Sequence, residues 1–314
     1  MIAYAARRLL SAVPLLFFLS LFVFLLFELM PADAAVISAG ENATPEQIEQ
    51  VRENLGLNEP LWSRYFDWAG GLLHGDLGTS LFSSQSVTST ILERLPVTAS
   101  LALVSMVLVV LIGLPLGVMA ARHPNSWLDR GLSSFASLCM SVPPFVLGLL
   151  LAVAFGILLP WFPPTGYTSV ADGGISGWLS SLVLPAIAVA AVPIAELARQ
   201  TRGSFLDVLG ADHVRATRAK GMPEGSVVLK HGAKNAAVPI VTVLGLQVNR
   251  ILGGSVTVEF VFALPGFGAL AVRSVVQQDL PMVLGIVAVS AVIVVVVNIL
   301  TDLSYGLLNP RMRR

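Results

Sequence analysis

The sequence is short of cysteine and of charge. Cys139 is the one cysteine, so no intrachain disulfide can form, and its place in an apolar segment reads as a small buried hydrophobe. Charged residues make up only 12% of the chain against 55% hydrophobic residues, and the mean hydropathy of +0.80 excludes a soluble domain of this length. No run follows the GxxxxGK[ST] pattern, so the chain does not hydrolyse ATP through a phosphate-binding loop of that kind. All four histidines (His74, His123, His213, His231) fall outside the apolar runs, which excludes a histidine-based site at membrane depth. The acids nearest the apolar runs, Glu28, Glu196, Glu259 and Asp302, read as lying towards their ends, and no inverted repeat is evident. Both absences weigh against a secondary transporter driven by an ion gradient. No catalytic set and no metal-ligand set emerges.

What remains is a series of six apolar runs, predicting an all-α polytopic membrane protein. Leu9 to Met30, preceded by Arg7-Arg8, is long enough to cross a bilayer at ~20 residues per crossing. A signal peptide is the competing reading, because Ala32-Asp33-Ala34 looks like a cleavage site, but the run is too long for it. The other runs are Val97–Ala121, Leu132–Leu159 broken at Pro143-Pro144, Ser181–Ala198, Ala236–Phe262 and Pro281–Leu308. With the amino terminus inside, inner segments hold fourteen lysines and arginines, outer segments hold four (Arg52, Arg64, Arg94, Arg273), and Arg250 lies within a span. That bias puts both termini in the cytoplasm. Residues 1–30 thus form the amino terminus and first span, 31–95 an extracytoplasmic insertion, and 96–314 a five-span core.

The insertion carries nine acids against three bases, a net of −6. Thr44-Pro45-Glu46-Gln47 reads as a capping box opening an amphipathic helix through Ile48, Val51 and Leu55 that Gly56 ends. Further on stands Gly75-Asp76-Leu77-Gly78-Thr79-Ser80, with reception of a partner or cover of a pore mouth as one reading and packing of the insertion as its rival.

The longest polar run on the cytoplasmic side is Gly203 to Asn235. Leu206 to Lys220 has helical apolar spacing and ends at Gly221, where a left-handed turn is allowed; Pro223 then opens a second short helix. Basic residues beside a span ordinarily do no more than hold a loop inside. Here their order adds something. Val214-Arg215, Ala216-Thr217-Arg218-Ala219-Lys220-Gly221, His231, Asn235-Ala236 and Pro239 resemble the "EAA" loop of bacterial ATP-binding-cassette (ABC) importer permeases, in the variant of peptide and nickel permeases, with Arg215 where the general form has glutamate. Leu95-Pro96-Val97-Thr98, Ser141-Val142-Pro143 with Phe145, Gly253-Gly254 before Val258-Glu259, Pro265-Gly266, Asp279 with Pro281, and Asn309-Pro310-Arg311 extend the resemblance over nearly the whole chain.

The resemblance implies the type I importer permease fold with six spans. It implies that the loop at 203–235 docks into a separate ATPase through Asp212, Arg215, Ala216, Arg218, Ala219, Lys220 and Gly221. It also implies a second, similar permease chain, two ATPase subunits or domains holding ATP and Mg, an extracytoplasmic binding protein and a lipid surround, with no nucleic acid. The cargo it implies is a di- or oligopeptide, with a nickel chelate or an oligosaccharide as alternatives, in a prokaryotic cytoplasmic membrane. Within the fifth span, Arg250 costs ~2.5–3.5 kcal/mol on insertion scales and must face the bundle interior or a hydrated path. Gln247 and Gly254 share its helical face, making the three candidates for the translocation path, with an acidic partner for Arg250 as the rival reading. Asn298 and Asp302, one turn apart, read as glue between helices.

Overall fold

A computed structural model describes residues 2–28, 34–40, 43–54, 56–227 and 232–308. Leu55, His231 and Asn309-Pro310-Arg311 lie outside the described residues, as do the side chains of Arg7, Arg8, His213, Asn235 and Asp302. Among the described residues the regular elements are helices, with one isolated bridge between Thr79 and Ser86. Four helices are long and apolar enough to cross a membrane, and a fifth crossing is reached if one sharply bent pair counts as a span. The first helix, α1 (Ile2–Glu28), adds the shorter apolar stretch Leu16–Leu26. The chain divides into two compact units, residues 2–96 with 266–296, and residues 97–265 with the chain from 297 onward.

In the first unit, short helices α2 (Ala34–Ala39) and α3 (Pro45–Asn54) precede α4 (Leu61–Leu73). The capping box is formed: the Thr44 backbone N–H donates to Gln47 Oε1 at 2.9 Å, and the Gln47 N–H donates to Thr44 Oγ1 at 3.4 Å. Gly56, at φ 64°, ends α3 in the left-handed turn, with the Leu57 N–H closing onto the Arg52 carbonyl. On α4, Tyr65 is buried, stacks edge-on against Phe24 of α1 and shares a 2.8 Å hydrogen bond with Ser20. α5 (Val87–Leu108) starts a helix that passes through a π turn, Val109–Gly113, into α6 (Leu114–Arg122). Pro115 lacks the N–H that the ladder needs just past that turn.

The second unit is built around α9 (Val170–Leu209), 40 residues with a break at Gly174. Two-thirds of its apolar stretch is buried (67%), against 22% for α12 (Ala233–Val261), so it is the helix that the others of this unit surround. The sequence explains why: Ala186, Ala188, Ala190, Ala195 and Ala198 leave little side chain on any face, so neighbouring backbones come close. A Cβ on Gly117 of α6 would stand 2.5 Å from the Ala198 carbonyl oxygen, hence the glycine.

The break expected at Pro143-Pro144 is present, and two other expectations are corrected. The apolar run at 132–159 is two helices, α7 (Trp127–Ser141) and α8 (Pro144–Leu151) with its π extension Ala152–Leu158, meeting at 99°. Two adjacent prolines remove two ladder donors and push Val142 into extended backbone, so the chain turns a corner rather than kinking. The helix of the fourth span does not stop at Ala198 but runs on to Leu209. Past the break at Gly174, residues 175–209 run about 50 Å at ~1.5 Å per residue, well beyond the ~30 Å hydrocarbon core. Finally, the helix expected over Leu206–Lys220 is split at Gly210: α9 closes at Leu209 and a separate α10 (Asp212–Ala219) follows. Beyond them, α11 (Glu224–Ser226) is the short helix opened by Pro223, and α13 (Phe267–Val276) and α14 (Leu280–Leu308) follow α12.

Candidate functional site

The loop between α9 and α12 presents one continuous polar surface. Val214, fully buried, anchors α10 among Phe205, Leu209 and Val227. With that side pinned, Asp212, Arg215, Ala216, Arg218, Ala219, Lys220 and Gly221 are all exposed. The helical periodicity produces this division: one apolar residue per turn faces in and the rest face out. Arg215 and Asp212 lie 3.5 Å apart at 71% and 97% exposure, a surface pair that adds little stability and leaves both charges in solvent. Arg218 Nη1 donates to the Leu209 carbonyl at 3.2 Å, tying α10 to one of the open carbonyls at the end of α9. Gly221 sits at φ 79°, its N–H on the Arg218 carbonyl at 2.9 Å, while a Cβ there would meet nothing within 4 Å. The glycine is needed for backbone conformation and not for space.

Before this loop, α9 is clamped to the turn that precedes α7. Arg202 places Nε and Nη2 on the two oxygens of Asp129, the latter at 2.7 Å, and the Asn125 backbone N–H adds a bond of 2.9 Å to Oδ2. Ser126 caps α7 through the Asp129 N–H.

The three path candidates do not share one environment. Gln247 is buried against α9, Arg250 has 53% of its side chain exposed, and Gly254 is half-buried, with nothing within 4 Å of the place a Cβ would take. What joins the first two is Glu196, whose Oε2 accepts from Gln247 Nε2 at 3.0 Å and whose Oε1 accepts from Arg250 Nη1. The expectation that Glu196 marks a span end is therefore corrected: it stands level with Arg250, in the middle of α12, and its side chain is 13% exposed. An acid does reach mid-helix depth, and Arg250 finds its acidic partner within this chain. The signal available in the sequence was the arginine itself, which demanded a carboxylate nearby. On the adjoining turn, Asn249 Nδ2 donates to Asn298 Oδ1 at 3.0 Å, joining α12 to α14. Elsewhere in this unit the fully buried Glu259 accepts from Thr98 Oγ1 at 2.6 Å.

In the segment between α4 and α5 the residues Gly75, Asp76, Gly78 and Ser80 are brought together, with their polar atoms engaged internally. Asp76 Oδ1 accepts from the Gly78 N–H at 2.9 Å, and Thr88 Oγ1 donates to the Gly75 carbonyl at 2.9 Å. Buried Ser80 donates to Asp279 Oδ2 at 2.5 Å while accepting from the N–H groups of Phe82 and Ser83. Asp279 also accepts from the Met282 N–H at the start of α14. This arrangement fixes a loop. Among the described residues no group of three or more histidine, cysteine, aspartate or glutamate side chains could hold a metal ion.

Long apolar helices packed around an alanine-lined central helix define an all-α polytopic membrane protein. Residues 113–314 match the family described as the binding-protein-dependent transport system inner membrane component, and residues 1–102 match the amino-terminal region of such membrane components. The chain belongs to this family of importer permease subunits, which work in the inner membrane with an ATPase and a substrate-binding protein. It is 41% identical over 313 residues to a putative peptide transport system permease protein of Brucella abortus (strain 2308), covering 100% of this chain and 99% of that one. It is 37% identical to the oligopeptide transport system permease protein AppB of Bacillus subtilis (strain 168), covering 99% of each. With the glutathione transport system permease protein GsiC of Escherichia coli O6:H1 it shares 39% identity, over 100% of this chain and 99% of the relative.

Proposed function

We propose that this chain is one half of the transmembrane pore of an ATP-driven importer of di- or oligopeptides. The observation that carries the coupling role is the outward presentation of Asp212, Arg215, Ala216, Arg218, Ala219, Lys220 and Gly221 on a short helix pinned by Val214. Peptide cargo is supported by the full-length similarity to permeases named for peptides, oligopeptides and glutathione. The chain pairs with a second, similar permease subunit, crosses the membrane six times and keeps both termini in the cytoplasm. ATP and Mg are held by two separate ATPase subunits or domains, and this chain catalyses no reaction. Closure of the ATPases pushes α10, and the long helix tied to it through Arg218 carries the movement into the membrane as a switch between two packings. Gln247, Arg250 and Gly254 flank the path.

The test is uptake in proteoliposomes holding the co-purified subunits, with ATP inside, the binding protein outside and labelled peptides of graded length. Accumulation that requires ATP supports the proposal and brackets the cargo. Uptake by this chain alone, driven by an ion gradient without ATP, contradicts it.

A further inference from the structure

We infer that Arg250 is a specificity-determining residue that takes the carboxylate of the cargo, and that Glu196 and Gln247 are positioning residues that aim it. The inference rests on the peptide-import reading above. Three observations carry it.

The first is exposure. Along α12, Leu246, Arg250, Gly253, Thr257 and Phe260 form a stripe at alternating intervals of four and three residues, and every member is exposed. A stripe with a guanidinium at its centre, mid-helix, cannot face hydrocarbon, because a charge there costs several kcal/mol. Gly253 and Gly254 leave the space beside Arg250 open, with nothing within 4 Å of either Cβ position.

The second is geometry. Glu196, 13% exposed, is reached by Arg250 Nη1 on one oxygen and by Gln247 Nε2 on the other at 3.0 Å. Gln247 lies buried three residues before Arg250, so the carboxylate is held from two successive positions of one helix face. Among the described residues, no further hydrogen bond engages the guanidinium. Its remaining N–H groups form a planar fork in fixed orientation, which matches a second carboxylate.

The third is electrostatics. Glu196 neutralises Arg250 overall, so the site offers an oriented donor fork without a deep trap for anions. A transport path requires that balance, since a group must bind well enough to enter and weakly enough to leave. Among the described residues the buried Gln247 Oε1 has no partner, leaving an acceptor to receive an N–H if the guanidinium shifts as cargo arrives.

The experiment uses the complete transporter with its binding protein in proteoliposomes. One labelled tripeptide, chosen so that both forms are carried, is supplied at saturating concentration as the free acid and as the carboxy-terminal amide. The wild type is expected to carry the acid faster. In Arg250→Gln the ratio of acid to amide should fall about tenfold, the scale of one charge-assisted hydrogen bond. Because that variant leaves Glu196 buried without its cation, the double variant Glu196→Gln/Arg250→Gln is measured beside it and should show the same loss. A ratio unchanged in both variants overturns the inference and assigns Arg250 to a contact with another subunit. If the wild type carries no peptide in either form, the peptide reading itself fails, a distinguishable result.

Discussion

Arg202 and Asp129, 73 residues apart, meet as a two-pronged ion pair that fastens the carboxy-terminal part of α9 to the turn before α7. The carboxylate is 6% exposed and the guanidinium 30%, so the pair is desolvated mainly on the acid side. Removing one member leaves an uncompensated buried charge. Arg202→Ala should destabilise the detergent-solubilised protein by about 3 kcal/mol, read as a lowered midpoint in thermal unfolding. Arg202→Ala with Asp129→Asn should recover much of that loss. If the single variant unfolds at the wild-type midpoint, the clamp has no structural role.

The close approach of α6 to α9 makes a second prediction. A Cβ on Gly117 would lie 2.5 Å from the Ala198 carbonyl oxygen and 2.6 Å from Thr201 Cβ, so Gly117→Ala must push two backbones apart. The expected cost is about 1–3 kcal/mol. Gly254→Ala, into open space, should leave the unfolding midpoint near the wild type. Equal effects of the two substitutions would refute the packing argument.

Much of this was legible in the sequence. The capping box at Thr44 and Gln47, the left-handed turn at Gly221 and the short helix after Pro223 each follow from local residue chemistry, and each is formed. What the sequence hid is tertiary. The reach of α9 past Ala198 was obscured because Glu196, Arg199 and Arg202 look like the end of a span. One of these residues is an internal partner and another a clamp. The partnership of Glu196 with Arg250 spans 54 residues and has no local signature. The seven residues proposed for coupling were readable as a motif, but the reason that all of them face outward is the burial of Val214, which only the fold displays.

The capped helix α3 should respond to acid. Its own backbone N–H at the open helix start, then the Thr44 hydroxyl, hold the Glu46 carboxyl below its usual value of 4.5. A folded-state value lowered in this way gives stabilisation that is present above pH 4.5 and lost as the pH falls through the lowered value. Hydrogen exchange of the amides in residues 46–54 should therefore accelerate, relative to the intrinsic rate, only on the acid side of that range. Glu46→Gln should abolish the pH dependence, and a response unchanged in that variant would assign it to another group.

Coupling through the loop after α9 is read out by ATP-driven peptide uptake in a Gly221→Val variant. At φ 79° a β-branched residue is strained, so the turn after α10 must rearrange, while the absence of any neighbour within 4 Å leaves the spans undisturbed. The predicted result is a protein inserted in the membrane at wild-type abundance whose ATP-dependent uptake falls below a tenth or so of the wild-type rate, about the loss of one 1.4 kcal/mol contact or more. Uptake at the wild-type rate would contradict coupling through this loop.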